Sequence, residues 1–507
     1  MKKLYIAMAS ATVLLASCNM DLAPIGSLDD QSAVETVNDC VRFQAGFGGN
    51  VRSISLGGLV GYPEFQGDNF QAVRALYGNN QGLLFSGNIV SSNEDIEGQW
   101  SALYSYIGNA NYFIPKASAL IDDTEKFSDS EILTIRRSRG VAYFTRALCY
   151  FYLLERFCPQ YTDGNAQQEG LGAPIVTEFD PTYERGKYPA RSSMAATVSL
   201  IREDLAAASA DLAAYEVSNP SVLAAGAAYA NTDICKALEA RLALLINDKA
   251  TAAAKAKELI NCGRYELANA EQYPTVWLND NPCKEVLYMP VVNKAEAAGV
   301  GAYGTNWTSA DRQKAYYVPT QATLANYEAG DVRFTSFFEQ NDIVIGGGNY
   351  ELYCFVKYPG NPALTSGTVS GVNAPKAFRI SEMYLILAEA GTNAEGNAAL
   401  QALREARIPG YTGSTYSDAL LLTEVQKERN RELIGEGFRL TDLRRWGLGF
   451  TRDNTTTAPY FPANFNEQFT ADQSLSYPAG DYRMTWPIPS SEIDVNPQLK
   501  GQQNIGY

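Results

Sequence analysis

The residues that come closest to a catalytic arrangement are two pairs of carboxylates, Glu64 with Asp68 and Glu94 with Glu97. A glycosidase can work with two such acids about 5 to 9 Å apart and needs no histidine. Neither pair sits in a recognisable catalytic frame. The chain contains no histidine at all. Ser-His-Asp and Cys-His nucleophile pairs are therefore impossible, as are HExxH zinc sites and histidine-carboxylate triads. Any catalysis would rest on carboxylates, Lys, Tyr or Cys. Eight cysteines occur, at 18, 40, 149, 158, 235, 262, 283 and 354, with no CxxC spacing to suggest a thiolate metal site. Cys149 lies in a dense apolar helix and reads as a small core residue. No catalytic residue, metal, cofactor or disulfide framework is expected.

A second concentration of chemistry is the stretch Glu424 to Gly447, EVQKERNRELIGEGFRLTDLRRWG. Its acids are Glu424, Glu428, Glu432, Glu436 and Asp442; its bases are Lys427, Arg429, Arg431, Arg439, Arg444 and Arg445. Glu428 and Arg431 stand one helical turn apart. Gly435 and Gly437 break the helix, and Phe438, Leu440, Leu443 and Trp446 form the apolar side of a shorter one. A solvated charged face is the plain reading. The interruption by two glycines and an aromatic favours a structural ion-pair knot, a use that suits the bidentate guanidinium. Arg445→Ala should then harm folding.

The elements around these residues are mostly helical. Periodic apolar spacing predicts helices over 30–45 (Val34, Val37, Val41 and Ala45 inward, ended by Gly46, Gly48 and Gly49), 96–121, 128–157, 232–246, 249–262, 319–330, 378–390 and 400–407. Ser128 with Glu131 reads as a capping box. The pattern fails over 56–92 and again over 265–317, where Gly, Asn and aromatics alternate. Loops of such length inside a compact domain are usually functional. Short strands or hairpins fit 346–372. The 31 tyrosines offer flat faces with a hydroxyl, suited to sugar rings and peptides as well as to packing.

At the N-terminus, Lys2 and Lys3 precede an apolar run from Leu4 to Ala16, too short to span a bilayer. Leu15-Ala16-Ser17-Cys18 looks like a bacterial lipobox. We read 1–17 as a signal peptide, Cys18 as the lipidated first residue, 18–30 as a tether and 31–507 as one domain. The net charge of -15 and pI near 4.7 argue against nucleic-acid partners.

Several motifs, in order, resemble the SusD/RagB family of nutrient-uptake outer-membrane lipoproteins of Bacteroidetes. They are Trp100, Leu103, Tyr104, Ile107, Ala110 and Asn111; Gly140 to Leu153; Arg191-Ser192 with Ile201, Asp204 and Leu205; Arg379, Glu382, Leu385 and Ala388-Glu389-Ala390; the 424–447 stretch; and the ending Pro487-Ile488-Pro489, Glu492, Asn496-Pro497, Gln503-Asn504-x-Gly506-Tyr507. The resemblance implies a mainly α fold, a tetratricopeptide-repeat-like scaffold with long irregular insertions and a few short strands. It implies a surface-exposed, lipid-anchored, non-catalytic protein of the outer membrane that captures glycans, or peptides in the RagB branch, and hands them to a SusC-like TonB-dependent transporter. It also implies a ligand surface drawn from the two insertions. Gly67-Asp68-Asn69 resembles a polar element found there. Asp68, Asn69 and Arg74, with Tyr77 nearby, are candidate hydrogen-bonding residues; Tyr303, Trp307 and Tyr316 are candidate stacking faces. Loop anchoring is the alternative for each aromatic. Trp307 in GVGAYGTNWTSADRQ has few apolar neighbours in sequence and is expected to be exposed.

Overall fold

The computed structural model describes residues 33–73, 84–297, 301–367, 369–465 and 475–507. The signal peptide, Cys18, the tether, Arg74 and Tyr77 lie outside them. The fold is mainly helical. It opens with α1 (Val37–Leu56), α2 (Gly58–Gln66) and a short strand, β1 (Phe70–Ala72). The long helical scaffold follows: α3 (Glu94–Asp122), α4 (Asp129–Phe157), α5 (Met194–Ser218), α6 (Thr232–Leu245) and α7 (Lys249–Ile260). Then come α8 (Tyr273–Leu278), β2 (Val286–Tyr288), β3 (Tyr317–Pro319), α9 (Gln321–Ala325) and α10 (Val332–Phe337). A hairpin of β4 (Phe338–Ile345) and β5 (Gly348–Phe355) precedes β6 (Phe378–Arg379), α11 (Ile380–Ala390), α12 (Asn393–Arg407), α13 (Asp418–Leu433) and α14 (Arg439–Arg445). The chain closes with β7 (Phe450–Thr451), β8 (Ser476–Tyr477) and α15 (Ser490–Val495). No described helix is long and apolar enough to cross a membrane.

Neighbouring helices pack in pairs: α3 on α4, α4 on α5, α6 on α7 and α11 on α12. Small residues let them approach. A Cβ on Gly140 would lie 2.9 Å from Leu212 and 3.2 Å from the Ala208 carbonyl, so α4 meets α5 closely there. The Ser128–Glu131 capping box forms as expected, Glu131 accepting the Ser128 N–H at 2.9 Å. One apolar core runs through these helices, and a second, aromatic one lies between the insertions and the β4–β5 hairpin.

Three expectations need correction. The first helix is not 30–45; it starts at Val37 and continues to Leu56. Its inner face is Cys40, Phe47, Val51 and Ile54, whereas Val41 is exposed. Gly48 does not end it, because the helix needs a glycine there to pass the Tyr229 ring, which a Cβ would approach to 2.9 Å. The predicted helix over 319–330 shrinks to α9, with Thr320 capping it through the Thr323 N–H. The described start of the 56–92 stretch is not an open loop. Its first part is α2, where Leu59, Val60 and Phe65 are buried.

The Glu424–Gly447 stretch is an ion-pair knot, and most of its partners come from elsewhere in the chain. Glu428 on α13 receives Arg333 at 2.6 Å, Arg404 at 2.8 Å and Arg431 at 2.7 Å. Glu432, one turn on, receives Arg379 at 2.7 Å and Arg407 at 3.0 Å, and both arginines also reach Glu285 at 2.7 Å. Burial alone would raise the Glu428 carboxyl. Arg333, Arg431 and Arg404 outweigh it and hold the group at about 2. The knot ties α8–β2, α10, β6, α12 and α13 into one unit. Removing one member would strand buried charge, a cost of about 3 to 5 kcal/mol.

Candidate functional site

The two irregular insertions meet. β1 and β3 pair antiparallel, with Phe70 opposite Pro319 and Ala72 opposite Tyr317. This brings 67–73 against 303–323. At the Thr320 end of the ribbon, the Asn69 carbonyl accepts the Thr320 N–H at 2.9 Å and the Thr323 hydroxyl at 3.0 Å. At the other end Val73 N–H donates to the Tyr316 carbonyl at 3.0 Å, and the chain enters the segment that carries Arg74 and Tyr77.

At the Thr320 end lies an open cleft of about 420 Å³ lined by Asp68, Asn69, Thr423, Gln426, Lys427, Asn430 and Trp446, among others. α13 supplies one wall. Thr423, Gln426, Lys427 and Asn430 recur at i, i+3, i+4 and i+7, one polar face of the helix. Leu421, Val425, Glu428 and Glu432 turn the opposite face into the core and the knot. The cleft wall is therefore positioned by buried ion pairs directly behind it.

Asp68 and Asn69 form the floor. Arg439 grips Asp68 bidentately, both bonds 2.7 Å. Burial would raise the Asp68 carboxyl, but Arg439 holds it below the usual carboxylate range. The Asn69 amide is buried and donates to the Asn430 side-chain carbonyl at 2.9 Å. Both residues are largely spent on protein partners, and they shape the cleft rather than reach out of it. Asn430 retains its own amide N–H groups for a ligand. Trp446 is half-buried. Its indole N–H donates to Glu389 at 2.9 Å, and the Arg445 guanidinium stacks over the ring at 4.6 Å. The arrangement can hydrogen-bond a polar ligand from Gln426, Lys427 and Asn430 and stack it near Trp446. In the sequence, Lys427 counts among the charges, Trp446 falls on an apolar face, and Gln426 and Asn430 carry no assigned role; the i, i+3, i+4, i+7 polar face of α13 was the available signal.

The aromatic candidates behave differently. Trp307, expected to be exposed, is fully buried. Its ring sits 4.9 Å from Phe355, 5.1 Å from Tyr303, 5.4 Å from Phe65 and 5.6 Å from Phe70. The apolar neighbours missing from its local sequence arrive from α2, β1 and β5. Tyr303 is buried too, donating to the Gly435 carbonyl at 3.3 Å. Neither ring presents a face to solvent. Tyr316 is half-buried, its carbonyl bonded to the Val73 N–H. Over this aromatic core lies a cleft of about 260 Å³ lined by Thr305, Ser309, Arg312 and Tyr358.

Glu64 and Asp68 are each held by other partners rather than presented together as acid and base. Asp68 is held by Arg439, while Glu64 is buried and accepts the Gly437 N–H at 2.7 Å. Burial pushes the Glu64 carboxyl up to about 7 against the pull of the Gly435 and Gly437 N–H groups and Lys357. Glu97 accepts the Ser491 hydroxyl at 2.7 Å.

Two family models match the chain: one described as the SusD family over residues 297–507, the other as starch-binding associating with outer membrane over 63–232. No curated protein matches it in sequence. Among solved structures, a SusD superfamily protein of Bacteroides thetaiotaomicron superposes with a TM-score of 0.74 at 24% identity, covering 92% of this chain and 99% of the other. A putative sugar binding protein of Bacteroides vulgatus gives 0.74 at 24% identity over 94% and 99%. A laminarin binding SusD-like protein gives 0.66 at 20% identity over 93% and 99%. SusD-type family models thus match both halves of the chain, which shares one fold with SusD superfamily structures over nearly its whole length.

Proposed function

We propose that this protein is a non-catalytic glycan-capture lipoprotein of the outer membrane. Anchored on the cell surface through Cys18, it passes oligosaccharides to a SusC-like TonB-dependent transporter. The observation that carries the binding half of this reading is the open cleft beside Asp68 and Asn69, where a polar helix face and a half-buried Trp446 converge. Mixed stacking and hydrogen-bonding surfaces of this size suit polar ligands. The family matches and the sugar-binding relatives support a glycan as the ligand. The anchoring half rests on the lipobox and on the outer-membrane description of the N-terminal match. The hand-off to a transporter rests on the family alone.

The test is calorimetric titration of starch- and laminarin-derived oligosaccharides, with peptides in parallel, against wild type and Asn430→Ala/Trp446→Ala. Loss of an aromatic anchor at a binding centre typically costs about 2 kcal/mol. The double variant should lose at least that much glycan affinity, titrated at a temperature where its own melt shows it folded, because the Asn430 side-chain carbonyl accepts from buried Asn69 and the Trp446 N–H donates to the Glu389 carboxylate. Peptide binding without glycan binding would overturn the reading, as would sugar release from a bound oligosaccharide above a heat-killed control.

A further inference from the structure

A second open cleft, of about 680 Å³, lies across α9 from the first. Ala322, Ala325 and Asn326 line the first cleft; Leu324, Tyr327 and Glu328 line the second. The wall between them is therefore one short helix, about 10 Å across. Its exposed positions Ala322 and Ala325 carry only methyl groups, so the crest is low. The crest is also fixed. Asp453 accepts the Ala322 N–H at 2.9 Å, the Gln321 amide accepts the Thr457 N–H at 2.8 Å, and Arg431 of the knot donates to the Asn326 carbonyl at 2.9 Å.

Beyond the crest stands a row of half-buried rings. Tyr327 is 6.0 Å from Phe334, Phe334 is 5.4 Å from Tyr353, and Tyr353 is 6.5 Å from Tyr460. The Tyr327 hydroxyl is committed to the Arg431 carbonyl at 3.0 Å. The Tyr353 and Tyr460 hydroxyls have no hydrogen-bond partner among the described residues. Exposed Glu271 and Glu328 complete the rim. These rings pack on the edge of the aromatic core and each keeps part of its surface open.

We propose that the two clefts are successive subsites of one track, so that a long neutral glycan lies across the alanine crest and stacks on Phe334 and Tyr460. The inference rests on the glycan reading above and adds chain-length selectivity to it. Half-exposed rings with free hydroxyls match the alternating faces and edges of sugar rings, and the two carboxylates accept sugar hydroxyls. An extended peptide would be expected to use an open strand edge, and the lining of the second cleft includes no strand residue.

The experiment compares disaccharides with long oligosaccharides in a panel of neutral glycans led by starch and laminarin fragments. The variants are Phe334→Ala/Tyr460→Ala and, in the second cleft away from the first, Ala329→Trp. Ala329 is exposed, so that variant keeps the test open if the double variant folds poorly. Both should weaken long-chain binding about tenfold, equivalent to roughly 1.4 kcal/mol, and leave disaccharide binding unchanged. Unchanged long-chain affinity in a wild type that binds glycans would overturn the track and leave the proposed function standing. Loss of affinity for a basic peptide instead would assign the second cleft to a peptide and overturn it. A wild type that binds no member of the panel would overturn both.

Discussion

Arg445→Ala isolates the part of the ion-pair knot nearest the cleft. Arg445 bridges Asp442 at 2.9 Å and, through its second terminal nitrogen, Glu389 at 2.7 Å, with its side chain 9% exposed. Burial would raise the Glu389 carboxyl; Arg445 outweighs it, with help from Arg429 and the Trp446 N–H, and holds it at about 2 against an ordinary 4.5. That difference corresponds to about 3 kcal/mol of stability at neutral pH, within the usual cost of breaking a buried pair. Unfolding entropy of about 2.1 cal/mol/K per residue over 507 residues converts this to a fall in Tm of about 3 °C. The sign with pH follows from linkage. A carboxyl held low in the folded state stabilises above its unfolded value, about 4.5, and that stability is lost as pH falls toward about 2. The gap between wild type and Arg445→Ala should therefore be full at pH 7 and narrow below about 4.5. Thermal melts across this range measure it. A variant melting with wild type at neutral pH would refute the reasoning and return the pair to a solvent-screened face worth about 0 to 1 kcal/mol.

Trp307→Ala should lower stability by about 3 to 5 kcal/mol, the usual cost of deleting a buried aromatic, and bind normally once folded. Early melting with normal titration supports its core role, and weak binding at unchanged stability would refute it. Glu64→Gln should change pH dependence in the direction opposite to Arg445→Ala. The folded carboxyl is raised to about 7, so its contribution is intact below about 4.5 and lost as pH rises through about 7. The variant should gain on wild type over that window in parallel melts, and parallel curves would count against it. Cys18→Ala should move the protein from the membrane to the soluble fraction and abolish lipid labelling. An unchanged membrane fraction would remove the lipobox reading.

Much of the helical scaffold was readable in the sequence because its determinants are local. Apolar spacing marks α3, α4, α6, α7 and α11, and the Ser128–Glu131 capping box starts α4 at the expected residue. The absence of histidine excluded whole reaction classes without any structure. The ion-pair knot was also foreseeable from charge density, but only its half on α13 and α14. Arg333, Arg379, Arg404, Arg407 and Glu285 are distant in sequence, and only folding brings them to Glu428 and Glu432. Trp307 shows the limit most clearly. Its Gly-rich neighbourhood looks solvent-facing, because three of the four rings that bury it come from residues 65, 70 and 355. The cleft follows the same rule. Asp68 and Asn69 were visible as polar residues in an irregular stretch, yet their partners Arg439 and Asn430 lie more than 350 residues away. Local pattern determines which segments become helices, since hydrogen bonding and side-chain spacing within a helix span only a few residues. Which faces remain open is decided by long-range packing, because exposure belongs to the assembled surface and not to any one segment.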